Sequence, residues 1–312
     1  MDNTPIKLKP AIKDYIWGGR RLIDDFNKKT ELDKAAESWE LSTHPDGESI
    51  VASGPFSSKT LTQYIAENGN ECIGSRAAAF DFFPVLIKLI DAKDSLSIQV
   101  HPDDEYALRV EGGYGKTEMW YIVDCEPNAY LYYGLNTTVT KEEFRERIEN
   151  NTLLEILNKV PVHKGDVFFI PSGTIHAICS GILIYEIQQN SNTTYRVYDY
   201  DRRGKDGKPR ELHIDKAVEV SNLFPAPPQK KAQDNILASC KYFTAQKVAC
   251  SGTENFPTDS GCFRSLVILE GSGSLEMNGT KLSLNKGDSI FIPAQDGEFT
   301  LSGSLEGILS YV

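Results

Sequence analysis

Hydrophobic positions along the chain recur mostly at alternate residues, in short runs closed by Gly, Pro, Asn or Asp. SLSIQVHP (95–102), MWYIVD (119–124), AYLYYG (129–134), DVFFIP (166–171), ILIYEIQ (182–188), SLVILEG (265–271), KLSLN (281–285) and SIFIPA (289–294) all read this way. β-Branched and aromatic side chains at that period suit half-buried strands. Helical spacing is rarer. TLTQYIAENG (60–69) sets Leu61, Tyr64 and Ile65 on one face and stops at a glycine. TKEEFRERIENNTLLEILNKV (140–160) opens with Thr140 as N-cap and Glu143 at the capping-box position. Its Phe144, Ile148, Leu153, Leu154 and Leu157 form an apolar stripe over two short helices. Many closely spaced strands with few helices predict a mainly-β sandwich or barrel.

The strand pattern is also repeated. KGDVFFIPSGTIHA (164–177) and KGDSIFIPAQ (286–295) stay in step, Gly165 answering Gly287, Pro171 answering Pro293 and Ser180-Gly181 answering Ser302-Gly303. His176 then falls opposite Glu298. Upstream, IVDCEPNAYLYYG (122–134) aligns without a gap on VILEGSGSLEMNG (267–279), strand, turn, strand, glycine. The separation between copies is 145 residues here and 122 in the later hairpin, and a helical insertion near 140–160, in the first copy only, supplies the difference. Two β domains of one architecture follow. SNLFPAPPQKKAQ (221–233) reads as the linker, so the expected domains are 1–222 with the insertion, a linker at 223–233, and 234–312.

A net charge of −11 argues against nucleic acid or an anionic membrane as partner. The six cysteines (72, 125, 179, 240, 250, 262) show no CxxC spacing, which fits reduced thiols in a cytosol. MDNTPIKLKP lacks a signal-peptide pattern, and no apolar run is long enough to span a bilayer. The expectation is a cytoplasmic protein, a monomer or weak homodimer, whose partner is a small molecule.

The histidine in only one copy points to chemistry. Residues 165–176 read Gly-Asp-x-x-x-x-Pro-x-Gly-x-x-His, which resembles the second sequence motif of cupins, short jelly-roll barrels that hold a metal. The fold expected is therefore two cupin-type jelly-roll barrels with a few helices. Gln99 and His101, two apart in SIQVHP, share one strand face, whereas Ile98 and Val100 point to the other, which must itself be covered. Glu118 opens the next strand. Gln99, His101, Glu118 and His176 offer two oxygens and two imidazoles with no thiolate, a set suited to one Zn²⁺ per chain, with Mn²⁺, Fe²⁺, Co²⁺ or Ni²⁺ as substitutes. One carboxylate leaves such a site at net positive charge, favouring an open, Lewis-acidic position. In the gapless alignment Phe263 faces Glu118 and Glu298 faces His176, so the second barrel is expected to bind no metal. His44, His163 and His213 are read as packing or turn residues.

The motifs DYIWGG (14–19), ESWELSTHPDG (37–47), FPVLIKLIDAKDSLSIQVHPDD (83–104), GKTEMWYIV (115–123), IPSGTIHA (170–177) and NSNTTYRVYDYDR (190–202) together resemble the type I phosphomannose isomerases, in their short bacterial form. The resemblance implies reversible isomerisation of mannose 6-phosphate and fructose 6-phosphate, with Zn²⁺ on Gln99, His101, Glu118 and His176. It also implies an active-site arginine at Arg196, lysines near the metal at Lys116 and Lys88, a glutamate at Glu186, and a pocket aromatic at Trp17. Two stretches depart from the longer relatives. Gly115-Lys116-Thr117-Glu118 replaces Asn-His-Lys-Pro-Glu, and VYDYDR replaces Ala-Gly-x-Thr-Pro-Lys, leaving Arg202 or Arg203 to supply the cation of that lysine.

Aldose–ketose exchange moves a proton between C2 and C1 through an enediol. A cation can hold the sugar oxygens and stabilise the charge that develops. Arg196 would supply a fixed positive charge. Lys116 lies two residues from Glu118, and an ammonium beside a divalent cation gives up its proton more readily, which makes it a candidate acid or base. Glu186 is the rival, since it shares a strand face with Ile182, Ile184 and Gln188. Arg196, Lys88, Arg202 and Arg203 are candidates for the phosphate, although the last two read first as a solvated turn in DYDRRGKDGKP. A metal-dependent cupin oxygenase and a non-catalytic sugar-binding cupin are the alternative functions.

Overall fold

In the computed structural model, which describes residues 3–204, 207–229 and 235–312, the chain is mainly β with few helices. It divides into two compact units, Asp14–Gly19 with Ile90–Lys231, and Met1–Lys13 with Arg20–Leu89 and Ala232–Val312. The expected boundary at 223–233 overlaps one crossing between them, although 230–233 lie outside the described residues. Residues 20–89, expected in the first domain, group with the C-terminal part instead. Strand pairing explains part of this, since Ile6–Lys9 is hydrogen-bonded to Ser289–Ile292 on one edge and Ile50–Val51 on the other.

In the unit containing residues 90–231, a five-stranded sheet runs in the order Tyr195–Tyr198, Ile98–Val100, His176–Ile178, Tyr130–Leu135, Leu157–Pro161. Alternation gives each of its faces a separate task. Ile98, Val100, Ala177 and Val197 turn to one face and pack with Phe144 and Ile148 of the helix Lys141–Glu149 and with Ala217 and Val218 of the helix Ile214–Val220. The helical insertion is thus the cover that Ile98 and Val100 require. Thr140 caps it, its hydroxyl accepting from Glu143 N–H at 3.1 Å. The second helix expected there is only the short turn Leu153–Ile156, after which Leu157–Pro161 becomes an edge strand on Tyr130–Leu135. Asn151 takes the left-handed conformation (φ 56°) that a short polar side chain tolerates, and this ends the helix. In the same unit Glu118–Cys125 lies antiparallel between Val167–Ile170 and Ile182–Gln189.

The other unit holds strands in the order Ile236–Ser239, Thr244–Thr258, Gly297–Tyr311, Arg264–Met277, Ser289–Ile292, Ile6–Lys9, Ile50–Val51, with Thr280–Asn285 paired to Arg264–Met277. Its core includes Leu266, Ile268, Leu275, Ile290, Ile292, Phe299 and Leu301.

The repeated phrase folds into the same turn in each unit. Gly165 N–H donates to Ile122 O at 2.8 Å and Ile122 N–H to Asp166 O at 2.9 Å; Gly287 and Ile268 repeat these bonds with Asp288 at 2.8 and 2.9 Å. Both glycines are left-handed, at φ 92° and 88°. Ile122 therefore corresponds to Ile268, one residue beyond the gapless alignment. Glu118 stands opposite Ile170 and Arg264 opposite Ile292, so Arg264, rather than the expected Phe263, holds the position of Glu118. Both copies carry a bulge just after this residue, at Val123 and at Leu269, so the difference lies beyond it: the first copy breaks at Cys125 and restarts at Tyr130, whereas Arg264–Met277 runs on as one strand.

Candidate metal centre

Cross-strand pairing gathers the candidate ligands into rows. Arg196 pairs with Gln99, Gln99 with His176 and His176 with Tyr133, so these four share one sheet face. Glu118 pairs with Gln188, and Trp120 with Glu186, two residues further along. His176 Nε2 lies 3.1 Å from Glu118 Oε1, and His101 Nε2 lies 3.7 Å from Glu118 Oε2. Ligand atoms of His101, Glu118 and His176 all fall within 4.8 Å of one another, and all three residues are buried. Gln99 Nε2 donates toward His176 Nε2 at 3.3 Å. Amide orientation is assigned from such contacts, and a half-turn of the amide exchanges oxygen for nitrogen at that place.

The state of the imidazoles tests whether a cation fits. His101 Nδ1 lies 2.9 Å from Thr193 O, and His176 Nδ1 lies 2.8 Å from Thr174 O. A carbonyl can only accept, so both Nδ1 atoms carry the proton and both Nε2 atoms present lone pairs. Those lone pairs face a carboxylate. Despite the 3.1 Å approach of His176, neither Glu118 oxygen has hydrogen-bond geometry to a partner, and His101 Nε2 has none. Acceptors facing acceptors in a buried space are the donor set of a divalent cation, with the backbone carbonyls fixing the tautomers from behind. Burial, reinforced by Lys116, pushes the His101 pKa well below its ordinary value. Burial opposes the charge on Glu118, but the neighbouring Lys116 ammonium favours it and holds that carboxyl below the usual range.

Lys116 is buried, with Nζ 3.3 Å from Glu118 Oε2. Arg196 donates from Nε to Ser97 Oγ at 3.3 Å and from Nη1 to Glu211 O at 2.9 Å. Glu186 is also buried and accepts from Trp120 Nε1 at 2.8 Å. The Trp120 ring stands edge-on to His176, centroids 5.2 Å apart. Trp17 is buried beside Tyr15, its carbonyl accepting from Asp94 N–H. Lys88 belongs to the other unit, where it is buried 3.6 Å from Glu37 Oε2 with its ammonium over Trp39. Arg202 donates from Nη1 to Ser95 O and from Nη2 to Asp199 Oδ1, each at 2.5 Å, while Arg203 is exposed.

Trp120, Ser97, Asp199 and Arg210 are parts of this network that sequence reasoning missed. Trp120 follows Glu118 by two and Ser97 precedes Gln99 by two, so strand alternation carried the signal for both. Asp199 and Arg210 sit in an irregular stretch without such a period.

Fold and site define a β protein of the cupin class with a candidate metal centre. The family model for the phosphomannose isomerase type I catalytic domain matches residues 6–130, and that for the mannose-6-phosphate isomerase cupin domain matches 233–312. The chain is 42% identical to the probable mannose-6-phosphate isomerase GmuF of Bacillus subtilis, covering 98% of this chain and 99% of that one. It is 37% identical to the mannose-6-phosphate isomerase of Streptococcus mutans, covering 98% of each. The crystal structure of the Bacillus subtilis mannose 6-phosphate isomerase superposes with a TM-score of 0.89 at 38% identity, covering 99% of this chain and all of that one. The chain belongs to the type I phosphomannose isomerase family.

Proposed function

We propose that the chain interconverts mannose 6-phosphate and fructose 6-phosphate at this centre, with His101, Glu118, His176 and Gln99 holding one Zn²⁺. The observation that carries the reading is the pair of imidazoles locked as Nδ1–H tautomers around a buried carboxylate without hydrogen-bond partners. Two nitrogens and carboxylate oxygen favour zinc by ligand type. When bound, the ion would polarise the sugar carbonyl and stabilise negative charge on its oxygen.

The chain's own residues supply the rest. Lys116 is the proton carrier, because its Nζ stands 3.3 Å from the liganding carboxylate and is shielded from water. Glu186 fixes Trp120, and Trp120 fixes the ring of His176. Arg196 is held by Ser97 and Glu211 and presents a charge that cannot be lost near neutrality, facing the developing oxyanion. The six free cysteines support a cytoplasmic setting. Metal analysis coupled to an assay of mannose 6-phosphate isomerisation tests the proposal. One zinc per chain with turnover lost on chelation is expected; oxygen uptake on another substrate would favour an oxygenase, and sugar binding without turnover a binding protein.

A further inference from the structure

A cleft of about 380 Å³ opens among Ile16, Asp94, Ser95, Tyr200, Arg202 and Arg203. It lies along the same line as the candidate metal centre. Gln99 belongs to that centre, Ser97 Oγ receives Arg196, and Ser95 O receives Arg202. Just ahead of the strand Ile98–Val100, Leu96 N–H donates to Ile178 O at 2.8 Å. Ser95 therefore stands at most about 13 Å from Gln99, at a strand rise of about 3.3 Å per residue. An open-chain hexose 6-phosphate with its carbonyl end near Gln99 and Arg196 would need its far end held within such a reach.

The charge of the cleft is opposite in sign to that of the chain. Asp199 Oδ1 accepts from both Arg202 and Arg210 at 2.5 Å, and its Oδ2 accepts from Arg210 Nε at 2.7 Å. One carboxylate thus balances two guanidiniums. Arg203 adds another cation at the rim, its Nη1 donating to Gly207 O at 2.9 Å, and Asp94 is the anion of the lining. Two consecutive residues without the freedom of glycine, Tyr200 (φ 55°) and Asp201 (φ 53°), are left-handed, and the buried Tyr200 hydroxyl has no hydrogen-bond partner. Backbone strain of this kind persists where the surroundings enforce it, and Arg202 and Arg203, which line the cleft, follow it directly in the chain.

We infer that Arg202 and Arg203 bind the phosphate end of the sugar substrate, with Asp94 opposing that binding; the inference rests on the isomerase reading. Arg202 is immobilised by Asp199 and Ser95 and sets the field, while Arg203 supplies donors. The experiment uses the metal-loaded full chain, its Arg203→Ala, Arg203→Lys and Asp94→Asn variants, and mannose 6-phosphate alongside unphosphorylated mannose. Arg203→Ala should raise KM for mannose 6-phosphate about tenfold or more while kcat changes less than about threefold, as loss of a charge-assisted contact requires. Arg203→Lys should recover part of that loss, and Asp94→Asn should lower KM. The inference is overturned if Arg203→Ala leaves KM within about twofold, a difference too small for such a contact. It is equally overturned if both sugars are affected alike, or if Asp94→Asn raises KM. Calorimetric titration with the same two sugars separates the readings. A wild type that turns over neither sugar yet prefers the phosphorylated one, and loses that preference in Arg203→Ala, refutes the isomerase and keeps the phosphate site. Equal binding of both sugars refutes the site.

Discussion

Lys116→Met should weaken the metal-free protein and tighten its grip on zinc. Lys116 and Glu118 are both buried and 3.3 Å apart. At that distance and an effective dielectric near 20, Coulomb attraction is about 5 kcal/mol. Removing one partner of a buried pair leaves the other charge uncompensated, at a cost of about 3–5 kcal/mol. With a divalent cation on Glu118, that charge is balanced from the other side and Lys116 becomes a repelled neighbour, so the substitution should cost less than about 1 kcal/mol. The difference, at least about 2 kcal/mol, must reappear as tighter binding by thermodynamic reciprocity. Zinc affinity measured against a competing chelator should therefore rise by roughly 30-fold, and urea denaturation should show the loss of stability only in chelator. Equal stability loss with and without zinc, or unchanged affinity, would refute the placement of the cation at Glu118.

Arg196→Ala should leave zinc content intact and lower turnover by roughly a hundredfold or more, because a fixed charge near the oxyanion is removed; steady-state kinetics with metal analysis checks both. The repeated turn gives a paired test by denaturation. Gly165→Ala meets no atom within 4 Å and should cost only the left-handed strain of about 1–2 kcal/mol, whereas the Cβ of Gly287→Ala would collide with the Phe26 carbonyl oxygen and should cost distinctly more. Asp199 is held below the usual carboxylate range, because its bonds to Arg210 and Arg202 outweigh a burial that acts the other way. Its contribution to stability is present above its unfolded pKa and is lost as pH falls through the depressed folded value. Asp199→Asn should flatten the acid limb of the stability profile, measured by urea midpoints from neutral to strongly acidic pH.

Much of the site was legible because strands make spacing into geometry. Gln99 and His101 lie two apart, and the glycine–aspartate turn phrase pins His176 in a hairpin, so short sequence distances carried the cluster of ligands. What period-two reasoning could not register was an interruption. The first copy breaks between Cys125 and Tyr130 where Arg264–Met277 runs on, so a gapless match is off by one residue upstream and Arg264 rather than Phe263 holds the Glu118 position. Thr244–Thr258 was missed because its second half is largely exposed and polar, and Gly297–Tyr311 because the glycines and serines of its middle interrupt the apolar alternation. The division of the chain was hidden for a different reason. Ile6–Lys9 pairs with Ser289–Ile292 across nearly the whole sequence, and no local pattern reports such a contact. Of the two short helices expected over 140–160, the first stops at Glu149, where the left-handed backbone of Asn151 follows, and the second is reduced to the turn Leu153–Ile156.

Anomalous diffraction at the zinc edge, from crystals of the zinc-loaded protein, addresses the central claim most directly. A single peak is expected at about 2.0–2.2 Å from His101 Nε2, His176 Nε2 and a Glu118 oxygen, with Gln99 turned to present its oxygen. No peak among those side chains, or a peak bound elsewhere in a protein that still isomerises mannose 6-phosphate, would contradict the account.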